Sequence, residues 1–381
     1  MGNYKKDKPV LELFLDKKLV EREENNSLRS LTLNSGLIDF SSNDYLGLAQ
    51  SAEAKLAIAN YFLENDAYKL GATGSRLISG NSAFAEDLEN EIAQFHQAQA
   101  GLIFNSGYDA NLGLFACIAQ KGDTIICDEN IHACIIDGAR LSFAQRFTFK
   151  HNNLESLENK LKNSQGNIFI AVESVYSMDG DMAPLKEISA LAKKYNANII
   201  VDEAHATGII GEKGEGLVQH LGLQKHIFAR VVTFGKALGC HGAIVLGSNK
   251  LKNYLINFAR SFIYTTALPL HSLVTIQTMY AQMAKQKDIE RLKNNISHYK
   301  SQFYNTKFQL IESDSAIQCL IIPGNEECKN TALYLQQNGF DVRAILSPTV
   351  ATTKERLRIC LHAFNSEAEI LRLCETLFLR L

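Results

Sequence analysis

Residues 198–205 read NIIVDEAH, a short apolar run that ends in two carboxylates and a histidine. A second run of the same kind, VVTFGK at 231–236, ends in a lysine. A few consecutive apolar residues, bounded by polar residues or glycine, are typical of a strand that is buried on both faces. Both runs therefore predict central strands of a sheet, each followed by a charged side chain at its carboxyl end.

The region from about residue 40 to residue 250 alternates short apolar runs with helical patterns. This alternation predicts an α/β fold, with a mostly parallel central sheet and helices on both faces. Ligands of such sheets bind beyond the carboxyl ends of the strands. The other apolar runs lie at 101–104, 124–127, 168–172 and 243–246, and the helical patterns at 51–63, 82–97, 108–120, 132–143 and 184–195.

The chain is predicted to comprise three parts. Residues 1–45 form an N-terminal segment with an amphipathic, charged helical lead-in, residues 46–283 a large domain, and residues 284–381 a smaller α+β domain. A long helical stretch, at about 270–303, joins the last two parts. The smaller domain is expected to hold strands near 317–322 and 356–361 and a helix at 330–338.

Composition excludes several classes of function. The 381 residues are 46% hydrophobic and 21% charged with a formal net charge of -2, so no basic field favours nucleic acid. The apolar runs are too short to span a membrane, and the charged N-terminus is not a signal peptide. The eight cysteines form no C-x-x-C pair, which favours core thiols, a cytoplasmic location and no metal site.

Three features of the strand ends point to pyridoxal 5'-phosphate (PLP). Asp202, at a buried strand end, needs a cationic partner such as a protonated pyridine nitrogen. Lys236 lies in apolar surroundings, which lower an amine's pKa and suit it to form a Schiff base. The glycine turn at Gly107 opens a helix whose backbone N–H groups can hold a phosphate. Together these are the parts of a PLP site.

Each feature taken alone has an ordinary explanation. The DEAH sequence at 202–205 also occurs in nucleotide-driven helicases, but the chain has no G-x-x-x-x-G-K-[ST] loop. A single glycine is more often a helix-start turn, and a lone strand-end lysine usually reaches solvent. His132, Arg29 and Arg358, taken singly, are most often packed or solvated side chains. The missing G-x-S-x-G motif excludes the commonest serine hydrolases.

Taken together, the motifs resemble the α-oxoamine synthase family of fold-type I PLP enzymes from about residue 40 to residue 361. The motifs at 71–80 and 263–269 favour the branch of the family that makes 8-amino-7-oxononanoate for biotin. Relatives that use glycine or serine are close alternatives. The motifs are SNDYLGL (42–48), GATGSRLISG (71–80), NSGYDAN (105–111), ESVYSMDGD (173–181), DEAHATG (202–208), TFGK (233–236) and IYTTALP (263–269).

The resemblance implies a cofactor site. Lys236 would hold PLP and later take the proton from the amino-acid Cα, while Asp202 would keep the ring nitrogen protonated. His205 would hydrogen-bond the phenolic oxygen, and His132 would stack on the ring face. The other cofactor contacts would come from Gly107, Tyr108, Ser177 and Thr233, with Thr233 on the phosphate.

The resemblance also implies the substrates. The reaction would condense L-alanine with a pimeloyl thioester of coenzyme A or an acyl carrier protein, releasing carbon dioxide and the thiol. Arg358 would bind the amino-acid carboxylate by a two-pronged contact, and His132, Arg29 and Thr349 would also contact substrate. A homodimer is expected, with no nucleic-acid or membrane partner. Glycine C-acetyltransferase chemistry (2-amino-3-ketobutyrate ligase) is the alternative.

Overall fold

The protein is seen in a computed structural model, which describes residues 10–31, 33, 36–283, 287–304 and 306–381. The strands, numbered along the chain, are β1 Ile38–Asp39, β2 Ala100–Phe104, β3 Thr124–Asp128, β4 Gln145–Phe149, β5 Ile168–Glu173, β6 Asn198–Asp202, β7 Ala229–Thr233, β8 Ala243–Gly247, β9 Ile317–Ile321, β10 Phe340–Asp341, β11 Arg343–Ile345 and β12 Arg356–Cys360. The helices are α1 Val10–Glu24, α2 Ala52–Glu64, α3 Ala83–Phe95, α4 Gly107–Ile118, α5 Ala133–Leu141, α6 Leu154–Lys162, α7 Leu185–Lys194, α8 Leu217–His220, α9 Asn249–Phe258, α10 Arg260–Ile263, α11 Leu270–Met283, α12 Lys287–Ser301, α13 Asn325–Gln337 and α14 Glu367–Arg380.

A seven-stranded sheet forms the centre of the described chain, in the order β2-β8-β7-β6-β5-β3-β4. Strand β8 runs antiparallel to both of its neighbours, and the remaining pairs are parallel. The predicted α/β fold with a mostly parallel sheet is therefore confirmed. The two runs that predicted it are β6 and β7, which lie side by side with Asp202 opposite Val231.

The central strands carry continuous apolar runs because helices cover both faces of the sheet. Ile199 and Val201 of β6 pack into one buried cluster, together with helices α6 and α7. Ile200, between them, points the other way into the cluster that holds α4 and α5. Alternate residues of one strand thus enter different cores, which is why the sequence shows a continuous apolar run.

The C-terminal part holds a small antiparallel sheet in the order β11-β12-β9. The predicted helical stretch 270–303 is two helices, α11 and α12, and residues 284–286 between them lie outside the described residues. The predicted boundary between residues 283 and 284 falls at this point, so the division into domains stays a prediction. Parallel pairing of β1 with β10 ties the start of the chain to the C-terminal part.

Some elements were not expected from the sequence. Strand β4 lies at the edge of the central sheet, and its residues are mostly exposed, so it carries no apolar run. Helix α1 lies within the predicted lead-in, but none of its side chains is buried, and residues 1–9 lie outside the described residues. No helix within the described ranges has the length and apolar character needed to cross a membrane.

An ion-pair cluster anchors the turn that follows β5. His151 lies 2.8 Å from Asp128 (Nδ1 to Oδ1) and 2.7 Å from Asp181 (Nε2 to Oδ2). Burial favours the neutral imidazole, but the two carboxylates outweigh it and raise the pKa of His151 to about 10. On the other side of the turn, Asp179 pairs with Arg356 of β12. The turn is therefore fixed to both sheets by charge.

His151, Asp179 and Asp181 also bring potential metal-ligand atoms within 4.8 Å of one another. A protonated imidazole has no lone pair to offer a metal, because both ring nitrogens carry hydrogen. The cluster is therefore an ion-pair network, and the expectation of no metal stays a prediction.

Replacing His151 by Gln should lower the free energy of unfolding by about 1–3 kcal/mol near neutral pH, since hydrogen bonds between charged groups are lost. The pKa of His151 is raised on folding from 6.5 to about 10. Its contribution is thus complete below about pH 6.5, declines above it and is lost beyond about pH 10.

Denaturant unfolding at about pH 6.5, 8 and 10 should show the difference between wild type and variant shrinking as pH rises. The same change at the exposed His220 is the control and should have little effect at any of these pH values. A difference for His151→Gln that does not depend on pH would contradict the protonated ring.

Candidate active site

A pocket of about 240 Å³ lies at the carboxyl ends of the central strands. Glu173 ends β5, Asp202 ends β6 and Thr233 ends β7, and all three line it. Helix α4 begins there because the hydroxyl of Ser106 accepts the N–H of Asp109, which caps the helix. The predicted site residues that line the pocket are Gly107, Tyr108, His132, Asp202, His205, Thr233 and Lys236.

Lys236 follows β7 on a short turn and is partly buried. Burial lowers its pKa, because an ammonium ion loses hydration there, although Asp202 and Glu173 act in the opposite direction. More of the amine is therefore neutral near pH 7 than in a solvated lysine. A neutral amine is the form that attacks a carbonyl group or accepts a proton.

Asp202 is held by hydrogen bonds to both carboxylate oxygens. Its Oδ1 accepts the backbone N–H of Ala204 at 2.8 Å, and its Oδ2 accepts from Asn111 Nδ2 at 2.7 Å. The residue is only 6% exposed, and Asn111 is 1% exposed. These donors fix the carboxylate's orientation in the pocket.

His132 is held through both its backbone and its ring. Its backbone N–H donates to Glu173 Oε1 at 2.6 Å, and its ring Nδ1 accepts from the backbone N–H of Cys134 at 3.3 Å. Burial lowers the pKa of His132, Lys236 acts in the same direction, and Asp202 opposes both. The ring is therefore neutral near pH 7.

His205 is fixed by a tyrosine from the first motif. The Tyr45 hydroxyl lies 2.8 Å from His205 Nδ1 and donates to Asn43 Oδ1 at 3.0 Å. Burial holds the pKa of His205 well below its usual value, and the positive charges of Lys236 and Arg358 add to this effect. His205 is thus a neutral ring in the pocket wall.

Arg358 lies beside the pocket and is tied to it by Asn43. Its Nε donates to the backbone oxygen of Ser177 at 2.8 Å, and its terminal nitrogens donate to Cys360 Sγ at 2.9 Å and Asn43 Oδ1 at 3.0 Å. A guanidinium has five N–H donors, so one hydrogen on each terminal nitrogen is left. Ser177 therefore touches Arg358 and does not line the pocket itself.

Arg29 and Thr349 are brought together in a second cavity of about 640 Å³. An Arg29 terminal nitrogen donates to Thr349 Oγ1 at 3.2 Å, between the N-terminal segment and the C-terminal part. Met178, the residue after Ser177, lines the same cavity. The two predicted substrate contacts are thus neighbours, but they do not line the pocket of Lys236.

Several residues of the site were not assigned from the sequence, although most lie in the motifs. Asn111 is one helical turn beyond Gly107 on α4, and this i,i+4 spacing was a usable signal. Tyr45 and Glu173 gave no signal of their own, because each acts by a contact with a residue far along the chain. Further unassigned residues that line the pocket include Asn43, Cys134 and His241.

Comparison with known proteins gives consistent matches over nearly the whole chain. The family model "Aminotransferase class I and II" matches residues 35–377. An 8-amino-7-oxononanoate synthase of Emericella nidulans is 42% identical, over 94% of this chain and 93% of that protein. A structure of SPT with PLP superposes with a TM-score of 0.90 at 26% identity and covers 98% of both chains. The 8-amino-7-oxononanoate synthase of Francisella tularensis superposes with a TM-score of 0.78 at 29% identity, over 90% of this chain and 97% of that one.

Proposed function

The chain belongs to the aminotransferase class I and II family, and we propose that it condenses L-alanine with a pimeloyl thioester of coenzyme A or an acyl carrier protein. The products are 8-amino-7-oxononanoate, carbon dioxide and the free thiol. One observation carries the proposal: the amine of Lys236 and the carboxylate of Asp202, from neighbouring strand ends, line a single pocket. The 8-amino-7-oxononanoate synthase of Emericella nidulans supports the choice of substrates.

The residues of the pocket fit PLP. Among the described residues, the buried Oγ1 of Thr233 has no hydrogen-bond partner, and it lies beside Gly107 at the start of α4. A Cβ atom on residue 107 would lie 2.5 Å from Thr233 Cγ2, which is a clash. Only glycine therefore lets the start of α4 lie this close to Thr233. A phosphate would satisfy the hydroxyl and the first free N–H groups of the helix.

The remaining contacts would come from charged and neutral groups already in place. Asp202 would hold a protonated ring nitrogen, which compensates the buried carboxylate. Neutral His132 and His205 would border the ring. Tyr108 lines the pocket, and its hydroxyl donates to Asp137 of α5, which fixes its position. Ser177 would act through Arg358, whose Nε its backbone oxygen binds.

In the proposed mechanism, each residue has a defined task. PLP, when bound, would supply the electron sink that stabilises negative charge at the alanine Cα. Arg358 holds the alanine carboxylate with its two remaining N–H groups. Lys236 Nζ takes the Cα proton, since its lowered pKa keeps the amine available as a base. Asp202 would stay in contact with the ring nitrogen throughout.

The second cavity suits the thioester substrate. Its wall includes the apolar side chains of Leu333 and Leu346, against which the methylene groups of a pimeloyl chain can pack. Arg29 and Lys329 also line it and offer positive charge to anionic parts of the substrate. Because Met178 connects this cavity to Ser177 and Arg358, the acyl group would lie next to the bound alanine, which gives proximity.

We further propose that the protein is a cytoplasmic homodimer. All eight cysteines are free thiols, as suits a reducing compartment. Large apolar side chains are exposed in and just before the GATGSRLISG motif, where Ile78 is 87% and Leu70 is 88% exposed. Val10 on α1 is 85% exposed, and exposed apolar groups of this size mark protein interfaces.

Light scattering of the purified protein should therefore give about twice the mass of the 42.3 kDa chain. Two copies are expected to associate because association removes the exposed apolar side chains of both from water. A mass that stays at one chain at micromolar concentration would contradict the dimer. The Ile78→Lys variant should shift the distribution toward the single chain.

The covalent link to PLP is tested at Lys236. Purified protein mixed with PLP should absorb visible light, and borohydride reduction should fix the cofactor's mass on a peptide containing Lys236. Lys236→Ala should lose the fixed mass, because no other lysine in the described part of the chain lines this pocket. Lys225→Ala, a change at an exposed lysine, is the control and should keep the label. A label found elsewhere would refute this assignment.

The substrates are tested by identifying products with mass spectrometry. Alanine and glycine are each combined with pimeloyl and acetyl thioesters, on both coenzyme A and an acyl carrier protein. Alanine with a pimeloyl thioester should give 8-amino-7-oxononanoate and carbon dioxide, and the Lys236→Ala protein should give neither. Faster turnover of glycine with acetyl-coenzyme A would instead favour glycine C-acetyltransferase activity.

A further inference from the structure

Cys134 contacts the ring of His132. Its Sγ lies 2.9 Å from His132 Nδ1, and its backbone N–H donates to the same ring nitrogen at 3.3 Å. His132 is the N-cap of α5, so its side chain turns back over the first residues of that helix. Cys134 also lines the pocket that holds Lys236 and Asp202.

Asn111 connects this pair to Asp202. Its Nδ2 donates to Cys134 Sγ at 3.3 Å and to Asp202 Oδ2 at 2.7 Å. An amide nitrogen has two hydrogens, one for each contact. The contacts therefore run without a break from Asp202 through Asn111 and Cys134 to the ring of His132.

These contacts decide where the ring carries its proton. A backbone N–H can only donate, so Nδ1 of His132 must be an acceptor, and the single hydrogen of the neutral ring lies on Nε2. The thiol hydrogen of Cys134 can point at the same nitrogen, since Sγ itself accepts from Asn111. Nε2–H is then left to face the pocket.

We propose that Cys134 is a positioning residue, whose thiol holds His132 in the Nε2-protonated form and fixes the plane of its ring. The effect of Cys134 on catalysis rests on the proposed function. The protonation and orientation of the His132 ring do not, because they depend only on contacts within the chain. A hydroxyl at position 134 would serve the same role, whereas a methyl group would not.

The same pair does not form a nucleophile and base. Cys134 is 2% exposed, and burial, together with the charges of Asp202 and Glu173, raises the pKa of its thiol. Cys134 therefore stays a thiol, and a thiol is a hydrogen-bond donor, whereas a reactive cysteine needs a thiolate. The lowered pKa of His132 likewise opposes an imidazolium–thiolate pair.

The ring state is measured by nuclear magnetic resonance of full-length protein labelled with ¹⁵N in its histidine rings, before and after PLP is added. His132→Gln identifies the signals by their loss. Wild type should show an unprotonated Nδ1 and a protonated Nε2 at position 132, and Cys134→Ser should show the same. Cys134→Ala keeps only the longer backbone contact of 3.3 Å, from which the ring can turn away once the 2.9 Å thiol contact is lost, so a share of the Nδ1-protonated form should appear. Cys374→Ala, at a buried cysteine of the C-terminal helix α14, is the matched control and should leave the signals unchanged.

Kinetics give the second measurement. Cys134→Ala should lower kcat of the condensation by roughly fivefold to tenfold, as loss of one hydrogen bond implies, with KM for alanine nearly unchanged. Cys134→Ser should restore kcat. Unchanged ring signals in Cys134→Ala, or no rescue by serine, would overturn the inference. If wild type shows the expected ring state but no condensation with any thioester, the proposed function fails and the positioning role stands.

Discussion

A buried carboxylate at the end of a central strand is the constraint on which the site depends. Asp202 is 6% exposed, and an unpaired charge at that depth would cost several kcal/mol. The surrounding structure offsets this cost with donors from Asn111 and Ala204 and with the nearby amine of Lys236. A cationic ring nitrogen of the proposed cofactor would complete the compensation, so the cofactor's chemistry and the stability of the sheet would depend on the same charge.

The turn after β5 connects the parts of the molecule that must act together. Glu173 binds the backbone of His132, the carbonyl of Ser177 binds Arg358 of the small sheet, and Met178 lines the second cavity. The ion pair of Asp181 with His151 fixes the far end of the turn. Displacement of this one segment would therefore disturb the proposed amino-acid and acyl positions together, which suits a reaction that joins two substrates.

Burial also sets the protonation of the site. It lowers the pKa of His132, His205 and Lys236, so these groups are neutral more often than they would be in water. Among the groups discussed, the charged side chains are then Asp202, which would face the ring nitrogen of the proposed cofactor, and Arg358, which would face the carboxylate of the amino acid. Neutral rings can donate or accept single hydrogen bonds in a fixed direction, and for His132 that direction is set by its neighbour.

The sequence by itself determined the α/β fold, the family resemblance and the strand-end residues Asp202 and Lys236, because apolar runs and the residues that end them are local signals. It did not reveal strand β4, since an exposed edge strand carries no apolar run. Only the tertiary structure placed Tyr45 against His205, 160 residues away, and Asn111 between Asp202 and Cys134. Such contacts depend on how α4, α5 and β6 pack, and that packing brings together residues whose separation in the chain leaves no pattern to read.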